Sequence, residues 1–349
     1  SILKKFIKDN PGAKPLANYD KIYGGNFEKW VKFANSLKLR LAIRIVYADE
    51  ALAQQKAEEA ISDGVFADNE DNAMLKVDGS ATVNPLYMIC YTYNDSRLGA
   101  TMESYLKGYD DPRLDIWFAK SEVSEFKEYN GIRCGSIFNG NDYKVFSNLN
   151  VSSSTPIQFM NAAEVYFLRA EAALRGWNAG EDAGALYEKG IMTAFSQPLG
   201  GTQSKAGDAS VYMKGTTLPK GYVDPKNPSY SDNGAGQVSV NWADATGFDE
   251  KLEKIITQKW IALFPDGQEA WSEFRRTGCP RVIRVATNNS SGRIDTKKQV
   301  ARLPYPTNLM KDYPDLAQQA VNNPEFLDGA DNGGTKLWWD KRSDKPYQN

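Results

Sequence analysis

Between Leu252 and Pro280 the chain spells two helices joined by a corner of only three turn residues. Leu252, Ile255, Ile256, Trp260 and Leu263 recur at three- and four-residue steps, which is one apolar helix face. Pro265-Asp266-Gly267 then stops that helix with turn chemistry. A second helix follows, with Ala270, Trp271 and Phe274 on one side. It ends at Thr277-Gly278-Cys279-Pro280, a glycine stop with proline two residues beyond. Helices joined so tightly must pack against each other, so Trp260 and Trp271 are predicted at a buried contact.

Two further helix pairs can be read. Asn26 is a predicted N-cap, and the helix after it runs to about Ala48 with Trp30, Ala34, Leu37, Leu41 and Ile45 on one stripe. Arg40 and Arg44 lie one turn apart on another face, which reads as a solvated or salt-bridged surface. A second helix covers about 51–62. Asn161-Ala162-Ala163-Glu164 reads as a capping box with Asn in place of Ser or Thr. Its helix stops at Gly176. A short connection leads to a helix over 181–195 that buries Leu186, Gly190, Ile191, Ala194 and Phe195. Two adjacent helices with small residues between larger ones form a unit like a tetratricopeptide repeat. The fold class is therefore mainly α: a tetratricopeptide-repeat-like helical scaffold over about 26–63, 156–196 and 249–278.

Between these pairs run loop-rich excursions, about 64–155, 197–247 and 285–349. They are dense in Asn, Asp, Ser, Gly and Tyr. A helix is predicted over Arg97–Leu106, and a hairpin over Gly131–Ser147 around Asn139-Gly140. The tail reads as mostly irregular, pinned by Pro304, Pro306, Trp338 and Trp339.

The wording of the first segment, QKWIALFPDGQEAWSEFRRTGCP over 258–280, resembles the signature of the SusD/RagB-like family. Residues 26–45 (NFEKWVKFANSLKLRLAIRI) and 163–177 (AEVYFLRAEAALRGW) resemble helices of the same family. Asp111-Pro112-Arg113-Leu114, Arg302-Leu303-Pro304-Tyr305-Pro306 and Lys336-Leu337-Trp338-Trp339-Asp340-Lys341 match in order. The resemblance implies one SusD-like domain over 1–349. It also implies an outer-membrane, lipid-anchored nutrient-binding protein at the cell surface that works with a SusC-like TonB-dependent β-barrel transporter. The expected ligand is an oligosaccharide, bound without catalysis. A peptide bound by the same architecture, as in the RagB branch, is the alternative. Family members are longer and begin with a signal sequence and a lipid-modified Cys, so an N-terminal part is expected to be missing from this sequence.

Composition excludes several chemistries. Histidine is absent, which removes Ser-His-Asp and Cys-His mechanisms and the usual zinc ligand. Cys90, Cys134 and Cys279 are too far apart for a metal-spaced pair and read as isolated thiols. A formal charge of −2 without a long basic run argues against nucleic acid. Glu269, Glu273, Arg275 and Arg276 read as ion pairs on a helix surface, not as a glycosidase dyad. Asp68-Asn69-Glu70-Asp71-Asn72 has the composition of a calcium loop but lacks its glycine and closing acid, and reads as a polar loop. No cofactor or metal is implied.

With 18 Tyr, 15 Phe and 8 Trp, aromatics are the chain's most distinctive resource, and many sit in polar loops. Tyr and Trp offer a flat apolar face with a polar handle, suited to stacking on sugar rings or peptide side chains. Tyr87, Tyr91 and Tyr93 alternate, followed by Asn94, Asp95 and Arg97. In an extended strand the three rings would share one side, with polar arms beside them. The alternative is that the rings pack on the scaffold. Tyr222 and Tyr230, with Asp232 and Asn233, form a looser candidate group, as do Asn139, Asn141 and Tyr143. Trp177, Trp260, Trp271, Trp338 and Trp339 are read as core.

Overall fold

The helices begin where the sequence supplies a side-chain acceptor for the orphan amides of the first turn. In the computed structural model, which describes residues 2–199, 202–203, 209–327 and 329–346, a short helix α1 (Ile2–Asp9) precedes α2 (Phe27–Arg44). Asn26 Oδ1 accepts from the Lys29 amide at 3.1 Å to cap α2. Asp49 caps α3 (Glu50–Ser62) in the same way. The loop-rich face carries α4 (Pro85–Tyr87), α5 (Ala100–Gly108) and α6 (Arg113–Trp117). Asn161 and Asp182 then cap α7 (Ala162–Leu174) and α8 (Ala183–Phe195). A short α9 (Ala209–Tyr212) leads towards α10 (Phe248–Leu263). Asp266 caps α11 (Gly267–Thr277), and α12 (Thr307–Asp312) and α13 (Pro314–Asn322) lie in the tail. Strands are few: β1 (Ala73–Leu75) pairs antiparallel with β2 (Ile157–Met160), and β3 (Pro198–Leu199) with β4 (Thr202–Gln203).

The three expected helix pairs are α2–α3, α7–α8 and α10–α11. Helix α7 sits at their centre, touching α2, α3, α8 and α10. Glycine permits the closest approach. A Cβ on Gly190 of α8 would lie 2.7 Å from the Phe167 ring of α7. Gly278 closes α11 in the left-handed region at φ 76°, its amide returning to Phe274 O at 2.7 Å.

Several readings change. The inner face of α2 is Ser36, Leu39, Ala42, Ile43 and Arg44, so the helix is rotated relative to the apolar stripe, and Leu41 is exposed. The cause is a charged seam within the core, which an apolar-periodicity argument cannot anticipate. Arg40 and Arg44, read as a solvated or salt-bridged face, are salt-bridged, but within the packed interior, where they reach α7 and α11. Arg40 pairs with Glu164 at 2.5 Å, and Arg44 with Glu269 and with Glu273 at 2.5 Å. Lys259, fully buried, lies 3.1 Å from Glu273. Arg276 bridges Glu273 at 2.7 Å and Glu171 at 2.6 Å, and Arg175 completes the chain on Glu171 at 2.8 Å. Of the four residues read as surface ion pairs, Glu269, Glu273, Arg275 and Arg276, all are buried. Burial pushes the Glu273 carboxyl up, but Arg276, Arg44 and Lys259 outweigh it and hold it well below the carboxylate range. Glu171 is likewise held down by Arg276 and Arg175 against burial. Burial prevails at Glu269, whose carboxyl is raised.

The tryptophans divide. Trp177 is buried, whereas Trp260, Trp271 and Trp339 are half-buried and Trp338 is 53% exposed. Trp271 Nε1 donates to Val300 O at 3.0 Å, and the Arg275 guanidinium lies over its ring at 3.7 Å. No hairpin forms at Asn139-Gly140; residues Gly140–Val145 make a 3-10 turn instead. The predicted helix at Arg97–Leu106 begins three residues later, at Ala100.

Tyrosines tie the excursions to this scaffold. Tyr109 donates to Val238 O and Tyr187 to Val240 O, both at 2.7 Å, and Tyr105 donates to Arg281 O at 3.0 Å. All three are buried. Buried phenols with satisfied hydroxyls anchor long irregular segments at little cost. Much of the aromatic content that suggested ligand stacking is therefore structural.

Candidate functional site

Asn84 starts the relevant segment. Its Oδ1 accepts from the Leu86 amide at 2.8 Å, its Nδ2 donates to Thr155 O at 2.7 Å, and Pro85 takes the first helical position. The chain therefore enters α4 rather than the extended strand expected of Tyr87, Tyr91 and Tyr93, and continues as a wider π turn over Met88–Thr92. Four residues separate Tyr87 from Tyr91, one helical turn, and their rings stack at 5.3 Å. The Tyr91 hydroxyl donates to Leu149 O at 2.5 Å. Its ring is still 44% exposed, and that of Tyr93 is 63% exposed.

The turn that follows is tightly held. Tyr93 N donates to Met88 O and Asp95 N to Ile89 O, both at 2.9 Å. Asn94 adopts φ 60°, a left-handed conformation that Asn tolerates better than most residues. Arg97 clamps the loop: Nη2 donates to Asn94 Oδ1 at 2.5 Å, Nη1 to Ser96 O at 2.7 Å and Nε to Tyr143 O at 3.0 Å. Tyr93, Asn94, Asp95 and Arg97 line a groove of about 470 Å³ together with Ile132, Gly140 and Tyr143.

Behind Tyr143 the packing is aromatic and cross-braced. Phe138 lies edge-on to Tyr143 at 6.2 Å and to Tyr230 at 5.4 Å. Arg133 donates to the carbonyls of Tyr230, Ser231 and Arg284, and pairs with Asp232 at 3.2 Å. Lys226 reaches Asp142 at 2.9 Å. Two segments distant in sequence, 93–97 and 132–143, thus line one depression, and a third, 226–232, braces the second from outside.

The structure brings Tyr91, Tyr93, Asn94, Asp95 and Arg97 together, with Tyr87 supporting from behind. Tyr230 stands one ring further back, through Phe138. Tyr222 does not join them. It is only 2% exposed, packs near Ala100, Ala235 and Ile283, and shares its one hydroxyl proton between Gly131 O at 2.8 Å and Asp224 Oδ2 at 2.7 Å. Phe138 and Ile132 are additions. Ile132 lines the groove and Phe138 backs Tyr143, and neither carries a local sequence signal for such a role.

Other hollows have a different character. Two, of about 260 and 290 Å³, flank the turn Phe264–Gly267. Their walls are mostly aliphatic and aromatic, with Trp117 stacked on Phe264 at 4.9 Å. Asp71, in the acidic loop at 68–72, pairs with Lys32 at 2.9 Å. Among the described residues no group of three or more His, Cys, Asp or Glu is placed to hold a metal ion, and no helix is long and apolar enough to cross a membrane.

The family model described as Susd and RagB outer membrane lipoprotein matches residues 1–340. A SusD homologue from Bacteroides thetaiotaomicron is 36% identical with a TM-score of 0.87, over 98% of this chain and 73% of that one. A chitin-binding SusD homologue from Flavobacterium johnsoniae is 40% identical with a TM-score of 0.88, over 99% of this chain and 70% of that one. A SusD homologue from Bacteroides vulgatus is 37% identical with a TM-score of 0.88, over 99% and 69%. No curated protein matches the chain in sequence.

Proposed function

The chain belongs to the SusD-like family of outer-membrane lipoproteins, and from that premise we propose that it captures an oligosaccharide at the cell surface. It binds without cleaving and passes its ligand to a SusC-like TonB-dependent β-barrel transporter. The observation that carries this reading is the groove beside Tyr91 and Tyr93. Exposed phenol faces stand beside hydrogen-bonding groups on a loop already fixed in shape, so little ordering remains to oppose binding. The description of the Flavobacterium johnsoniae relative as chitin-binding supports a glycan over a peptide.

A binding role also agrees with the chemistry within reach. The carboxylates gathered in the scaffold's charged seam, Glu164, Glu171, Glu269 and Glu273, are buried among arginines and a lysine. A glycosidase needs its pair open on either side of a sugar bond.

The test is a glycan array followed by calorimetry on the pure chain, with reducing ends assayed in parallel. Binding of an oligosaccharide with no release of reducing ends is expected. Hydrolysis abolished by one carboxylate substitution would replace the reading with an enzymatic one, and capture of peptides alone would assign the groove to peptides. Delivery is tested separately, by co-purification with a SusC-like β-barrel.

A further inference from the structure

The groove has two charged lining residues, Asp95 and Arg97, and the structure uses them in opposite ways. Arg97 is spent on the protein. Its Nε, Nη1 and Nη2 all donate, to Tyr143 O, Ser96 O and Asn94 Oδ1, with a longer contact from Nη1 to Asn94 O at 3.4 Å. No edge of the guanidinium keeps the free pair of N–H groups that grips a carboxylate or sulfate bidentately. Lys226, on the neighbouring loop, is paired with Asp142. Asp95 is the reverse case. Its backbone is fixed, its amide donating to Ile89 O at 2.9 Å, yet the residue is exposed and its carboxylate makes no hydrogen bond or ion pair with other described residues. It sits two residues from the exposed ring of Tyr93.

Resting on the glycan-binding reading above, we propose that Asp95 is the specificity-determining residue of this groove, selecting neutral oligosaccharides over acidic ones. Each carboxylate oxygen can accept a hydroxyl, so adjacent hydroxyls of one sugar ring match the two acceptors while the ring stacks on Tyr93. Hydrogen bonds to an ionised acceptor are roughly twice as strong as neutral ones. A uronate or sulfate group placed there meets a like charge and finds no cation with an open pair of donors among the lining residues, which is discrimination by repulsion as much as by fit. Arg97 is a positioning residue in this scheme: it holds the loop that presents Asp95.

The test uses the full chain and an array of neutral and acidic oligosaccharides, including chitohexaose and a hyaluronan hexasaccharide, with affinities taken by calorimetry. Wild type is expected to bind its best neutral oligosaccharide at least about tenfold tighter than any acidic one. Asp95→Asn should lose roughly tenfold for that neutral ligand, narrow the gap to the acidic ones and leave the melting temperature unchanged. Tighter binding of an acidic glycan by wild type overturns the proposal. So does neutral affinity within about twofold of wild type in Asp95→Asn, and if Tyr93→Ala meanwhile loses binding, the groove stands and only the role of Asp95 falls. Binding to no glycan at all overturns the groove reading and this proposal with it.

Discussion

The helical seam and the Tyr93 groove are both built from charged and aromatic side chains, and they differ in what those groups are left free to do. In the seam, Arg40, Arg44, Arg175, Lys259 and Arg276 are matched against Glu164, Glu171, Glu269 and Glu273, and all are buried or nearly so. In the groove, the Tyr93 ring is mostly exposed and the Asp95 carboxylate has no partner among the described residues. A group satisfied inside the protein has nothing to offer a ligand, and a group left open contributes little to folding. Chemical type alone therefore does not separate scaffold from site. Satisfaction does.

If that contrast is right, the largest stability losses come from breaking the seam. Arg276→Met removes the cation shared by Glu171 and Glu273 and leaves two buried carboxylates short of a partner. The expected cost is about 3–5 kcal/mol by chemical denaturation. A loss below about 1 kcal/mol would show that the seam is incidental to stability.

Next in size is a comparison inside the seam. Glu273 and Glu171 have carboxyls held below the usual range, so their stabilisation is present above the unfolded-state pKa and is lost as pH falls through the lower folded value. Glu269 is raised, so its contribution has the opposite sign: it favours the fold at acid pH and fades as pH rises through the raised value. Glu273→Gln should therefore lower the melting temperature at neutral pH more than Glu269→Gln, and should flatten the acid limb of a stability–pH profile. Equal losses at neutral pH would mean that the two carboxyls share one environment.

A smaller effect tests packing without charge. Gly190→Ala places a methyl against the buried Phe167 ring, which cannot swing away, and should cost about 1–3 kcal/mol by the same denaturation assay. Neutral behaviour would mean that α7 and α8 can separate slightly without penalty.

The sequence made the helix pairs legible because their signals are local. Asn26 and Asn161 cap where Asx-initiated helices should start, and Gly278 stops α11 where a glycine stop was read. The rotation of α2 was hidden because its inner face carries Ser36, Arg40 and Arg44, which periodicity assigns to water. Glu269, Glu273 and Arg276 were misplaced for the same reason, since nothing local says that a charged residue will find buried partners on three other helices. At the groove, the residues were legible but their conformation was not. Tyr87, Tyr91 and Tyr93 fit alternation, yet the step from Tyr87 to Tyr91 equally fits a helical turn. The Asn84-Pro85 pair, a cap followed by proline at the first helical position, was the local signal that favoured the helix. Tyr222 shows the limit of reading aromatics in loops as ligand platforms, because a buried ring with a satisfied hydroxyl has the same sequence appearance as an exposed one.

We propose that binding resides in the open groove and stability in the closed seam. Tyr93→Ala tests it most directly, since this ring is exposed and its hydroxyl makes no hydrogen bond to other described residues. Calorimetry with the best neutral oligosaccharide from the array, beside thermal unfolding of the same variant, gives both readouts. The account predicts a melting temperature within about 2 °C of wild type and an affinity reduced by roughly 1–3 kcal/mol, the range for a ring at the centre of a contact. Unchanged affinity, or a collapse in melting temperature comparable to that of Arg276→Met, would contradict it.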